Sequence, residues 1–196
     1  MTTRRHDLRH SLVTLLVGVA LGVLTVRLVL AGVVPFTTAP PSLSRFVFEM
    51  GVYVLLFDAY FYALHRLLHT GTLYRRVHAV HHRSTAPTLL TALAFHPIEA
   101  LAIMGFMPVA MWLVPIHLVS FVVVSVFLSG SIVLAHSGWD VVPGWWHRHP
   151  VLSWYVTPDV HAGHHRRRDC NYSATFSLFD RLFGTYREPI TPAPSV

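Results

Sequence analysis

Four stretches of this chain, residues 11–34, 45–65, 87–114 and 116–135, are almost free of charge. Each matches the ~20 residues that a helix needs to cross a hydrocarbon core of about 30 Å. In lipid a backbone must satisfy its own polar groups, and a helix does so within one segment, so these runs predict an all-α integral membrane protein with four transmembrane helices. Composition points the same way. With 53% hydrophobic and 12% charged residues, and a mean hydropathy of +0.50, the chain is too apolar for an ordinary soluble globule.

Between the runs lie polar segments that set the organisation of a single membrane domain over residues 1–196. Residues 1–10 form a basic cytosolic leader, and the first run reads as a retained anchor, longer than a signal peptide requires. Residues 35–44 are a Pro-, Thr- and Ser-rich outer loop, and Pro115 breaks a helical hairpin between the third and fourth runs. Residues 136–190 form a cytosolic cap, and 191–196 a tail. The net charge is +6, carried entirely by arginines placed between apolar runs, which argues against a nucleic-acid partner. Arg66, Arg75, Arg76 and Arg83 follow the second run and place that end in the cytoplasm by the positive-inside rule. The expected location is a bacterial inner membrane.

A single cysteine, Cys170, excludes internal disulfides and cysteine-rich metal sites, whereas fifteen histidines supply nitrogen. Eight are clustered: His65 and His69; His78, His81 and His82; and His161, His164 and His165. On an α-helix, positions three or four apart share a face with Cβ atoms about 5–6 Å apart, so each triplet is expected to point its rings together. Imidazole suits Fe, Zn, Cu and Ni. Eight ligands exceed one coordination shell, so a two-metal centre is expected, with His136 and His96 as further candidates. Asp58 stands seven residues before His65, on the same helical face, where it could accept an imidazole N–H and orient the ring. Asp140, four residues after His136, is a candidate outer partner. His6, His10, His117, His147 and His149 are assigned no ligand role.

With these clusters in place the chain resembles the fatty acid hydroxylase superfamily, also called the sterol desaturase family, of membrane di-iron oxygenases. The resemblance covers residues 58–186. It rests on Asp58 to His69, on the triplet at His78 followed by Thr91 and by His96-Pro97-Ile98-Glu99, and on His136-Ser137-Gly138. Thr157-Pro158 leading into the second triplet, Asn171-Tyr172 and Asp180 to Thr185 complete it. A lone histidine triplet would be weak, but the types, order and intervals agree together. Two residues depart from the usual pattern: Phe179 stands where Trp precedes Asp180, and Ser173 where Gly often follows Tyr172. A second histidine expected near His136 is replaced by Asp140, a pattern closer to the sterol-desaturase side of the family.

The resemblance implies two iron ions held by the ten histidines, with Asp58, Asp140 and Asn171 around them. It further implies O2 as co-substrate and hydroxylation or desaturation of a lipid C–H bond, on a fatty acyl, alkyl or sterol-like molecule lying in the bilayer. Electrons would come from a separate reductase or carrier protein, because the chain has no cysteine cluster and no glycine-rich dinucleotide fingerprint. Arg166, Arg167 and Arg168 are candidate docking residues for it. Two rivals keep the histidines. One is a zinc-dependent membrane hydrolase, disfavoured because no HExxH is present; the other is a non-catalytic metal- or haem-binding membrane protein, disfavoured because the histidines cluster at helix ends.

Overall fold

In a computed structural model that describes residues 3–138 and 142–189, the chain is mostly helical. Three are long and apolar enough to cross a membrane: Arg4–Leu30, Leu43–Leu68 and Leu118–Ala135. They belong to α1 (Thr3–Leu30), α2 (Leu43–Leu68) and α5 (Leu118–Ala135). Two short helices, α3 (Gly71–Arg76) and α4 (Pro97–Leu113), stand between α2 and α5, and α6 (Pro158–Arg167) and α7 (Leu178–Leu182) complete the chain.

The third expected span is shorter than the run of apolar residues suggests. Residues 87–96 do not join it: they form a loop with one 3₁₀ turn at Thr91–Leu93, because Pro97 pre-sets the first helical turn while pushing the residue before it into extended backbone. His96 accordingly sits at φ −65° and ψ 144°. The 17 residues of α4 reach roughly 25 Å at 1.5 Å per residue.

The leader also differs from expectation. It continues α1 upward by two turns, and its polar residues dock on the loop before α4. Asp7, 4% exposed, accepts hydrogen bonds from Ser84 Oγ at 2.7 Å and Thr91 Oγ1 at 3.3 Å. Ser11 donates to the Leu90 carbonyl, and His10 Nδ1 bonds the Phe95 carbonyl. At its other end α1 stops four residues before the apolar run does. Gly32 takes φ +71°, and Val33 N–H reaches back to the Leu28 carbonyl while Gly32 N–H reaches Val29, the paired bonds of a glycine-terminated helix.

At this far end two short parallel strands, β1 (Phe36–Thr37) and β2 (Ile116–His117), tie the α1–α2 loop to the α4–α5 turn. The core between the helices is apolar and aromatic, with Tyr53, Phe57, Phe106, Met111, Ile116, Val124 and Leu128 buried together. Large apolar side chains such as Leu16, Val19, Leu30, Val47 and Val126 point outward, as a lipid-facing surface requires.

Candidate metal centre

The end of the bundle opposite the strands gathers nine histidines into two groups. His65, His69, His78, His82 and His164 form one; His81, His136, His161 and His165 form the other. Within each group one ring nitrogen per residue lies within 4.8 Å of all the rest. Only His69 is partly exposed, and the other eight are buried.

Local structure explains the distribution. His65 and His69 close the last turn of α2, and His136 follows α5 directly. The first triplet does not form the α-helix its spacing suggested: residues His78–Arg83 are a 3₁₀ helix. His78 and His82 turn to the first group and His81 to the second. On α6, a true α-helix begun by Pro158, the assignment is reversed, with His164 in the first group and His161 and His165 in the second. Each triplet therefore serves both groups.

The Nε2 atoms face one another. His65 approaches His78 at 3.1 Å, His69 approaches His82 at 3.1 Å, and His82 approaches His164 at 3.0 Å. In the second group His81 lies 3.2 Å from His136, His136 2.8 Å from His161, and His161 3.1 Å from His165. Two nitrogens bound at right angles to one ion, each at the ~2.0–2.1 Å typical of imidazole on zinc, would stand about 3.0 Å apart.

The opposite nitrogens reveal the protonation. His65 Nδ1 bonds the Tyr172 carbonyl at 2.7 Å and His164 Nδ1 the Cys170 carbonyl at 2.7 Å. In the second group His136 Nδ1 bonds the Ile132 carbonyl at 2.7 Å and His165 Nδ1 the Ser84 carbonyl at 3.0 Å. A carbonyl oxygen only accepts, so each Nδ1 carries the proton, and in the neutral ring Nε2 presents a bare lone pair. Burial keeps the rings neutral: it lowers His136 to about 4 and, with neighbouring imidazoles adding to it, His69 to about 3. His78, His81, His161, His164 and His165 are held well below the usual imidazole value by the same causes. Converging bare lone pairs repel unless a cation lies between them, so the donor set fits a pair of metal ions.

An outer tier holds these carbonyls in place. Asp58 does not touch an imidazole as expected; its two oxygens accept from Thr175 N–H and Phe176 N–H, both at 2.9 Å. Asp180 accepts from Tyr172 N–H and Ser173 N–H at 2.8 Å. Asn171 adopts the left-handed φ of +57° and bonds the carbonyls of Val160 and Arg187 and the N–H of Arg187. Together they pin residues 170–176, whose carbonyls orient His65 and His164.

His96 is not brought to either group. Its Nδ1 accepts from Ile98 N–H at 3.2 Å and caps α4, because Pro97 turns the chain away from the histidines. Asp140 lies outside the described residues. His6, His10, His117, His147 and His149 stand apart from both groups, each in a contact of its own. Sequence reasoning missed Glu99, 1% exposed, whose Oε1 accepts from His78 Nδ1 at 2.6 Å; a lone acid opening an apolar run was the available signal. The orienting carbonyls left no signal, since every residue has one.

The family model described as fatty acid hydroxylase matches residues 50–185. This chain belongs to the fatty acid hydroxylase family. All nine converging histidines fall inside the matched span, and α1 falls outside it. Among its relatives, a methylsterol monooxygenase of Aspergillus fumigatus is 34% identical over 79% of this chain and 52% of its own length. A Delta(7)-sterol 5(6)-desaturase of Gibberella zeae is 30% identical over 76% of this chain and 40% of its own. Human lathosterol oxidase is 28% identical over 86% and 57%. The chain thus spans about half the length of the curated relatives it matches. No solved structure matches it.

Proposed function

We propose that this chain is a membrane oxidoreductase that uses O2 to hydroxylate or desaturate a C–H bond of a lipid. The observation that carries the reading is the meeting of a nitrogen-only double site with an apolar chamber. A cavity of about 800 Å³ lies between α1, α4 and α5, lined by Leu21, Val26, Met104, Met107, Phe121 and Leu128 among others. A second, of about 20 Å³, is lined by His65, His78, His81, His136 and His161, and Phe95 and Ile132 border both. The larger is the size of cavities that enclose a drug-sized or lipid-sized molecule.

Two iron ions held by the nine histidines would supply the oxidising power that no side chain possesses. The chain's own residues do the rest. Tyr172, Cys170, Ile132 and Ser84 carbonyls keep the imidazoles in the ligating tautomer, and the apolar wall excludes water while holding the lipid beside the histidines. A sterol-like substrate suits the names of the relatives and the breadth of the chamber.

We place α4 as a fourth span and the histidine end in the cytoplasm of a bacterial inner membrane. Arg66, Arg75, Arg76, Arg83 and Arg166 to Arg168 all stand at that end, and Arg45 at the other, as the positive-inside rule requires. A separate electron-carrier protein would dock there, with Arg166 to Arg168 as its contacts.

The test is to purify the protein without chelators, quantify its iron, reduce it anaerobically, and admit O2 with a membrane lipid extract. Lipid products that have gained one oxygen atom or lost two hydrogens are expected. Bound zinc with no O2-dependent product would overturn the reading.

A further inference from the structure

The large chamber and the histidine pocket are neighbours that meet at two residues only among those that line them. Phe95, 6% exposed, lays its ring on His81 with centroids 4.8 Å apart and planes 23° apart. Ile132 stands across from it on α5, one turn before His136, and its carbonyl accepts from His136 Nδ1. The two side chains border the 800 Å³ chamber on one side and the 20 Å³ pocket on the other.

This placement has a steric consequence. A space of about 20 Å³ holds little more than one water-sized molecule, so a lipid filling the chamber cannot lay its reacting carbon beside the histidines while both side chains keep these positions. Ile132 is branched on a helix and is stiff at χ1. Phe95 is different: it lies in the loop before α4, two residues from the helix start, and its ring is held by stacking on His81 instead of by a helical turn. The loop itself is clamped by α1 through Asp7, Ser11 and His10. Of the two side chains, the Phe95 ring is therefore the one not confined by a helical turn.

We propose that Phe95 and Ile132 form a gate between chamber and metal centre, Phe95 as the swinging leaf and Ile132 as the fixed jamb, and that the gap between them selects which substrate carbon is oxidised. The inference rests on the proposed function for its regiochemical part and is independent of it for its access part. A terminal methyl or ring-edge methyl passes such a gap more readily than a methylene within a fused ring, so the wild-type protein favours a protruding carbon.

Two measurements test it. In the first, wild-type protein, Phe95→Leu, Phe95→Ala and Ile132→Phe are turned over with O2 and the same membrane lipid extract, and the oxidised positions are mapped by mass spectrometry. The Phe95 variants are expected to shift the ratio of internal to protruding positions by about tenfold, the scale of one methylene's worth of pocket discrimination, and Ile132→Phe to shift it the opposite way. In the second, cobalt-substituted protein is mixed with cyanide or with a bulky lipophilic isocyanide, and the optical spectrum reports arrival at the metal. The isocyanide should arrive faster in the Phe95 variants and slower in Ile132→Phe, with cyanide unchanged in all. Equal isocyanide rates in wild type, Phe95→Leu and Ile132→Phe would refute the gate. Should Phe95→Ala lose metal, Phe95→Leu and Ile132→Phe still decide the question. A wild-type protein that yields no oxidised lipid would sink the proposed function, while the isocyanide rates would go on to test the gate alone.

Discussion

Both ends of the bundle contain a buried carboxylate hydrogen-bonded to a histidine, and among the described residues only one end gathers histidines that could hold metal. At the strand end, His117 Nδ1 bonds Glu49 Oε1 at 2.8 Å, and Arg45 Nε bonds the same carboxylate at 2.7 Å. Arg45 also caps the Pro115 carbonyl. At the other end His78 Nδ1 bonds Glu99 Oε1 at 2.6 Å, and among the described residues no arginine bonds that carboxylate. The pairs are chemically alike, and what separates them is the second imidazole nitrogen. His78 Nε2 faces His65 Nε2, whereas His117 lies in neither histidine group. An imidazole–carboxylate pair therefore fastens a fold when a cation closes it locally, and prepares a ligand when the far nitrogen looks into other lone pairs.

Replacing the histidine of each pair breaks the comparison most severely. His78→Ala should weaken metal binding by more than the roughly 100-fold that outer partners of metal ligands command, and abolish turnover; His117→Ala should keep its full metal content. Metal analysis of the two purified variants checks this, and loss of metal from both would erase the distinction between the ends.

The carboxylates give a smaller and more informative contrast. Glu99→Gln is expected to lower metal affinity by about 10- to 100-fold, while retaining the fold, because an amide oxygen still accepts from His78. Glu49→Gln should leave metal affinity alone and reduce stability by about 1–3 kcal/mol, the usual penalty for spoiling a buried charged hydrogen bond. Competitive chelator titration and denaturant unfolding of both variants separate the two effects.

The smallest expected effect on metal sharpens the picture within the histidine end itself. Asp58 acts at one remove from the imidazoles, through the segment 170–176 and its carbonyls. Asp58→Asn keeps one acceptor but sets an amide donor against a backbone N–H, so a stability loss of about 1–3 kcal/mol is expected, with metal affinity falling less than in Glu99→Gln. A larger fall in metal affinity than Glu99→Gln would mean that Asp58 reaches the imidazoles more directly than its hydrogen bonds indicate.

Much of the site was legible before any fold was known, because ligand chemistry is written in side chains. The eight clustered histidines and His136 were named from type and spacing, and all nine converge. Spacing failed where backbone geometry intervened. His78, His81 and His82 were expected to point together, yet His81 faces the other group, just as His164 parts from His161 and His165 on α6. His96 looked like a tenth ligand, but Pro97 fixes it as a helix cap. Asp58 was expected beside an imidazole and instead holds two backbone N–H groups, since heptad spacing gives the face of a helix and not what packs on it.

Residue type and order alone determined that this chain forms apolar helices, that any metal site must be built of nitrogen or oxygen ligands, and that its candidate ligands come from widely separated segments, since those properties belong to side chains and to hydropathy. The partition of each triplet between two groups, the tautomers fixed by carbonyls, and the chamber that shares Phe95 and Ile132 with the histidine pocket were decided by tertiary structure. They depend on distances between backbone atoms far apart in the chain, and no local pattern of residues encodes such distances.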